Sequence, residues 1–181
     1  MVGVLLRLRN LILRSARLQL YKSNILPHLT YCDIVWHFCK SSDKKKIERI
    51  QERAPRAVFK SKSETYSELL TRAGLPSLYQ QRLQNSVIFM YKVKNGLVLT
   101  SITEIFNTTP KQYNLRNADF NIPRVRTVHR GKHSLRYFGP HLWNKLDKTD
   151  RDKPNVKSFK NTIKSKDLSH LDNCKNCDIC C

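Results

Sequence analysis

Acidic residues are scarce in this sequence. Asp and Glu number 14 against 34 Lys and Arg in 181 residues, which leaves a formal net charge of +20. No acid precedes Asp33, although Arg7, Arg9, Arg14, Arg17 and Lys22 do, and no two Asp are adjacent anywhere. Two-metal phosphoryl or nucleotidyl transfer needs clustered carboxylates to hold its cations. The one cluster, Asp147, Asp150 and Asp152, is interleaved with Lys148, Arg151 and Lys153, so these charges are expected to neutralise one another in solvent. Glycine is equally sparse. Gly3, Gly74, Gly96, Gly131 and Gly139 are scattered, which excludes a phosphate-cradling P-loop and a dinucleotide fingerprint, and no Gly-x-Ser-x-Gly elbow occurs. No apolar run approaches the roughly 20 residues of a spanning helix, so no membrane partner is expected. Arginines interrupt Val4-Leu5-Leu6 and Leu11-Ile12-Leu13, leaving no secretory segment, and without secretion the cysteines are not expected to form a disulfide framework. An Arg-rich, acid-free start also resembles a mitochondrial transit peptide. The preferred expectation is that Met1 opens partway into a longer basic helix.

A hydrophobic fraction of 40% suffices for a real core in one domain or two small ones. The apolar spacing predicts a mainly α chain. Val4–Leu26 is dense enough in apolar residues for one buried helix, ended or bent by Pro27. Tyr31–Phe38 follows, with Trp36 and the thiols of Cys32 and Cys39 expected inside. Ser42 or Asp43 is expected to cap a helix with Ile47, Ile50, Ala54 and Ala57 inward and a basic stripe, Lys46, Arg49, Arg53 and Arg56, beside them. Pro55 predicts a kink or an early stop in that helix. Ser63 is expected to cap a helix bearing Tyr66, Leu69, Leu70 and Ala73, closed by Gly74 at the position after its C-cap. Ser77 starts another, with Leu83, Val87, Met90 and Tyr91 inward, ending at Gly96. These make a helical bundle over residues 1–106.

Between Asn107 and Phe138 the composition changes: Lys111, Arg116, Arg124, Arg126, Arg130, Lys132 and Arg136 face a single acid, Asp119. Period-two spacing puts Arg124 and Arg126 on one face of an extended segment, and Gly131 suits a turn into a loose hairpin through Phe138. Pro140 is expected to open a short helix with Leu142, Trp143 and Leu146, and a polar link at 147–154 leads to a last helix with Val156, Phe159 and Ile163 on one side. This basic region spans 107–166. The tail, 167–181, is expected to be disordered; it carries Cys174, Cys177 and Cys180 downstream of His170, a donor set that could hold zinc. No other cofactor is expected. Charge of this size implies an RNA or DNA backbone as partner, with Lys44, Lys45, Lys46, Arg49, Arg53, Arg56, Arg116, Arg124, Arg126, Arg130 and Arg136 as the contacts. Tyr113, Phe120, Tyr137 and Phe138 are candidates for stacking on bases, with core packing as the alternative. His129, His133 and His141 are expected at the surface or on phosphates.

Several stretches resemble the region downstream of the polymerase domain in non-LTR, LINE-type, jockey-like retrotransposon reverse transcriptases. They are Leu20-Tyr21-Lys22-Ser23 with Leu26–Trp36; Ile47-Glu48-Arg49-Ile50-Gln51-Glu52-Arg53-Ala54; Tyr66–Leu70; Gly74–Leu78 with Arg82; Tyr113–Arg116; Ile122–Thr127; Ser134–Leu146, the most specific; and Phe159-Lys160. The resemblance covers about residues 5–165 and implies a parent protein with an endonuclease and a polymerase palm upstream. The palm of that family carries an aromatic-Ala-Asp-Asp motif, absent from this chain. It therefore implies a thumb and post-thumb portion that grips template, primer or target and is not an enzyme by itself. Its partner would be the upstream domain, and it would be found in nucleus or cytoplasm as a ribonucleoprotein. An autonomous nucleic-acid-binding module with a zinc-stabilised tail and a non-functional remnant are the alternatives. Pro55 departs from the family pattern, where the helix continues.

Overall fold

The structure is a computed structural model that describes residues 2–8, 10–61, 63–106, 119–127 and 131–171. It is mainly α, and among the described residues no strand extends beyond a single bridge residue, Phe120. Two compact units divide between Arg82 and Leu83.

In the first unit, α1 (Val2–Leu8), α2 (Arg14–Leu20), a π-helical turn (Tyr21–Ile25) and α3 (Leu26–Thr30) replace the single helix expected before Pro27. Pro27 lies in the first turn of α3, which continues from the π-helical turn without a break, so it does not end a helix. Leu5, Tyr21 and Ile25 pack against Ala54, Ala57 and Val58 of α5 (Ser41–Phe59). Val4, Leu6, Leu11 and Leu13 stay exposed, so this stretch is not buried all round. Asp33–Trp36 forms α4, and Cys32 is exposed and Cys39 half-buried, against the expectation of buried thiols.

The helix α5 continues through Pro55 to Phe59. Pro55 removes one donor, at a cost of about 3 kcal/mol in a helix interior, and burial of Ala54, Pro55, Ala57 and Val58 offsets it. No side chain caps its start at Lys40, so neither Ser42 nor Asp43 does. The next helix, α6 (Tyr66–Ala73), is capped by Thr65 and not Ser63. Thr65 and Glu68 form a reciprocal capping box. Gly74 ends α6 at φ +61°, with the Leu75 N–H on the Leu70 carbonyl at 3.0 Å and its own N–H on that of Thr71 at 3.1 Å. Ser77 caps α7 (Leu78–Lys94), its Oγ accepting from the Gln80 N–H at 3.2 Å.

The second unit is built on aromatic residues. Leu83, Val87, Met90 and Tyr91 of α7 are all buried, as their spacing predicts. Thr100–Thr103 forms α8. Leu135–Phe138 does not make a hairpin arm; it opens α9 (Leu135–Lys145), with Pro140 inside the helix and not at its first position. Phe138, Leu142 and Trp143 line its inner face, an apolar stripe that fixes a helix even through a proline. Tyr91 stacks on Phe159 at 4.2 Å between centroids, and Phe120 meets Trp143 edge-on at 6.0 Å. Each such pair adds about 0.5–1.5 kcal/mol beyond its buried area. Gly139 lets α9 approach α7, since a Cβ there would lie 2.6 Å from the Met90 sulfur. The predicted polar link contains α10 (Lys148–Arg151), whose Asp150 and Arg151 are buried. Asn155 then caps α11 (Val156–Ser165), which buries Phe159 and Ile163. A short 3-10 turn, Ser169–Leu171, follows.

Candidate nucleic-acid interface

Two sets of cations stand outward, one on each unit. On α5 the buried positions are Lys44, Gln51, Ala54, Pro55, Ala57 and Val58. Ile50 is 40% exposed, so the inward face is rotated from the one that the isoleucines suggest. Lys44, proposed as a phosphate contact, is 5% exposed and belongs to the interior. At 3.6 residues per turn, Lys45, Lys46, Arg49, Arg53 and Arg56 share an arc of about 100° on the opposite side. Lys45, Arg49 and Arg53 are exposed. Lys46 makes an exposed ion pair with Asp43 at 2.9 Å, a contact of little energetic weight that a phosphate can displace. Arg56 is committed elsewhere: it donates to Glu52 at 2.7 and 3.1 Å and to the Glu64 carbonyl at 3.0 Å.

A buried polar network sets the rotation of α5. Gln51, fully buried, donates to the Pro76 carbonyl at 3.3 Å and accepts from the Leu78 N–H at 3.2 Å. Glu48 accepts from the Tyr66 hydroxyl at 2.7 Å and the Tyr79 N–H at 3.2 Å, and Tyr66 also bonds Gln51. Burial, then the hydrogen bond to Glu48 and its charge, push the Tyr66 hydroxyl far above its ordinary value. Burial likewise takes Tyr21 up to about 12. Arg82, 2% exposed, lies over the rings of Trp36 at 5.0 Å and Tyr79 at 5.9 Å, and burial lowers its pKa despite the nearby Glu48 charge. Glu48 thus serves inward contacts, while Lys45, Arg49 and Arg53 stay exposed on the outer face of α5.

In the second unit Arg124, Arg126 and Arg136 are exposed, as is Lys132. Segment 123–127 runs beside the start of α9. Val125 sits where a Cβ on Gly131 would fall, at 2.6 Å, the Lys132 N–H donates to the Thr127 carbonyl at 3.2 Å, and Pro123 and Arg136 line one small hollow with Ile105, Phe106 and Asn121. Arg116, Arg130 and Tyr113 lie outside the described residues, as do Lys111 and His129. Phe120 and Phe138 are buried and cannot meet a base, whereas Tyr137 is half-buried and stacked with His141. Trp143 is fully buried, as expected; Trp36 is half-buried.

A further stripe escaped the sequence reading. On α11, Lys157 and Lys164 are exposed and Lys160 half-buried, to one side of Phe159 and Ile163, with no acid in the helix. Their i, i+3, i+7 spacing was the available signal, overshadowed by the apolar residues interleaved with it.

Three acids of this unit are engaged as well, while Glu104, Asp147 and Asp152 stand exposed. Asp119 accepts from Lys94 at 2.8 Å and the Trp143 indole at 2.9 Å, with Arg151 at 3.5 Å. Burial alone would raise its pKa; the bonds from Lys94 and Trp143 and the charges of Lys94 and Arg151 hold it below the usual carboxylate range. Asp150 is buried and paired with Lys166, so the Asp147, Asp150, Asp152 group is not uniformly in solvent. Asp167 accepts from the Ser169 N–H at 2.9 Å. Among the described residues no group of His, Cys, Asp or Glu is placed to hold a metal ion. His170 is exposed on the 3-10 turn; Cys174, Cys177 and Cys180 lie outside the described residues. No helix among them is long and apolar enough to cross a membrane. Comparisons with protein-family models, with curated proteins and with solved structures return no match for this chain.

Proposed function

We propose that this chain binds the sugar-phosphate backbone of RNA or DNA, and that it is the thumb and post-thumb portion of a LINE-type reverse transcriptase, without polymerase chemistry of its own. One observation carries the binding: Glu48, Asp119 and Asp150 are engaged by contacts within their units and Glu52 and Glu68 by local ones, while Lys45, Arg49, Arg53, Arg124, Arg126 and Arg136 stand exposed. Phosphates and the counterions they release supply the affinity. Arginine forks add bidentate geometry. The upstream palm, carrying the metal-holding acids, would be the partner within the longer protein.

Filter binding against salt tests the first part. With six to ten phosphate contacts, affinity should fall roughly 10³–10⁵-fold between 50 and 200 mM salt. Replacing Lys45, Arg49 and Arg53 by Ala together should flatten the slope of log affinity on log salt by about three on duplex, near one per contact. A flat salt dependence of the unmodified chain ends this reading. Primer extension tests the second part, since templated DNA synthesis by the purified chain would contradict the missing acids. Coding sequence for a palm directly upstream of Met1 would support the family assignment.

A further inference from the structure

Of the aromatic residues near the basic segment, Tyr137 is placed unlike the rest. The inner face of α9 is taken by Phe138, Gly139, Leu142 and Trp143, which leaves Tyr137 and His141, one turn apart, on the outer side. Their rings are 5.9 Å apart with planes 15° from parallel. At that separation near-parallel rings are laterally displaced, so each leaves part of a ring face uncovered by the other. Arg136 adjoins the pair on α9, and segment 123–127, carrying Arg124 and Arg126, packs beside the helix start. Aromatic ring faces with cations nearby suit single-stranded nucleic acid: phosphates on the charges, a base face on a ring.

We propose that the Leu83–Lys175 unit takes its nucleic acid as a single strand, with a base laid on the Tyr137–His141 pair and the adjoining phosphates held by Arg124, Arg126, Lys132 and Arg136. This rests on the binding reading above and adds the form of the ligand. A duplex keeps its base faces stacked inside and offers only edges in its grooves, so it gains nothing from the rings. A single strand offers a face at every base. Because the tyrosine ring is already held against its neighbour, little side-chain freedom is lost on binding. Every base has such a face, so the contact is tolerant of sequence and of sugar.

An i,i+4 aromatic pair also supports the helix that carries it, and the experiment must separate the two roles. Fluorescence anisotropy of the full chain is measured with labelled single-stranded RNA, single-stranded DNA and duplex DNA, each of about twelve nucleotides or base pairs. Tyr137→Ala should weaken both single strands by about five- to hundredfold and leave the duplex unchanged. Tyr137→Phe, which keeps the ring, should bind as the unmodified chain does. Equal loss on single strand and duplex, or no loss, overturns the proposal, as does loss in Tyr137→Phe matching that in Tyr137→Ala. If Tyr137→Ala does not fold, 2-aminopurine in the single strands decides with the unmodified chain: quenching on binding upholds the stack, and unchanged emission overturns it. Absence of binding to all three ligands overturns the general reading as well, whereas tight binding to all three with no response to Tyr137 overturns this inference alone.

Discussion

Met1–Arg82 and Leu83–Lys175 carry almost the same charge excess, sixteen Lys and Arg against six acids in one and eighteen against seven in the other. They are held together differently. The first has a core of modest side chains, Ala54, Ala57, Val58 and Ile25 among them, beside a layer of buried polar groups that includes Gln51, Arg82, His37 and Asp33. The second concentrates Trp143, Phe159, Tyr91 and Phe120 in mutual contact and has one carboxylate, Asp119, as its polar hub. Like charges spread over a surface oppose compaction, and each unit answers in its own way. Directional bonds fix the orientation of α5 in the first unit. Aromatic burial, indifferent to surface charge, holds the second.

Four changes should break or sharpen that contrast, in descending order of effect. Trp143→Ala removes the largest buried side chain and the indole donor to Asp119; it should destabilise the second unit by about 3–5 kcal/mol in chemical denaturation, with hydrogen exchange in α6 little altered. Gln51→Ala leaves the Pro76 carbonyl and the Leu78 N–H without their partner and should cost the first unit about 1–3 kcal/mol, seen as faster exchange at Leu78. The third concerns pH. Asp119 has its pKa depressed in the folded chain, so its contribution is present above the unfolded value and is lost as pH falls through the folded one. Acid titration of stability should show that loss below the ordinary carboxylate range, and Asp119→Asn should remove that part of the profile. Thr65→Ala takes away one half of the capping box and should cost about 1 kcal/mol, localised to exchange in α6. A Trp143 variant that unfolds both units equally in exchange would mean that the contrast does not survive as two separate responses.

Helix punctuation was legible only in part: neither Ser42 nor Asp43 caps α5, and Thr65 in place of Ser63 caps α6. Gly74, Ser77, Gly96 and the Phe159–Ile163 face stand where their spacing puts them, because caps and apolar periods are local. The helix faces that failed depended on tertiary partners. Ile50 turns outward because Gln51 finds backbone partners in the Pro76–Leu78 turn, a gain that no local pattern announces. Lys44 follows it inward. Pro55 and Pro140 stay inside helices because burial outweighs one lost donor each. For the candidate site, the outward cations Lys45, Arg49, Arg53, Arg124, Arg126 and Arg136 are prominent in the composition. Which cations remain available is not readable from it: the engagement of Arg56 with Glu52 and the Glu64 carbonyl, and the separation of Tyr137 from Phe138, are facts of packing.

The contact between Gly139 and Met90 has a practical consequence. Besides Met1, Met90 is the chain's one methionine, its side chain is wholly buried and its sulfur stands against the glycine, so a sulfoxide oxygen has no room on that side. Peroxide will therefore reach this thioether only when the helices part. The rate at which an internal peptide gains one oxygen becomes a clock for the opening of this half of the protein, readable by mass spectrometry with no mutation or label.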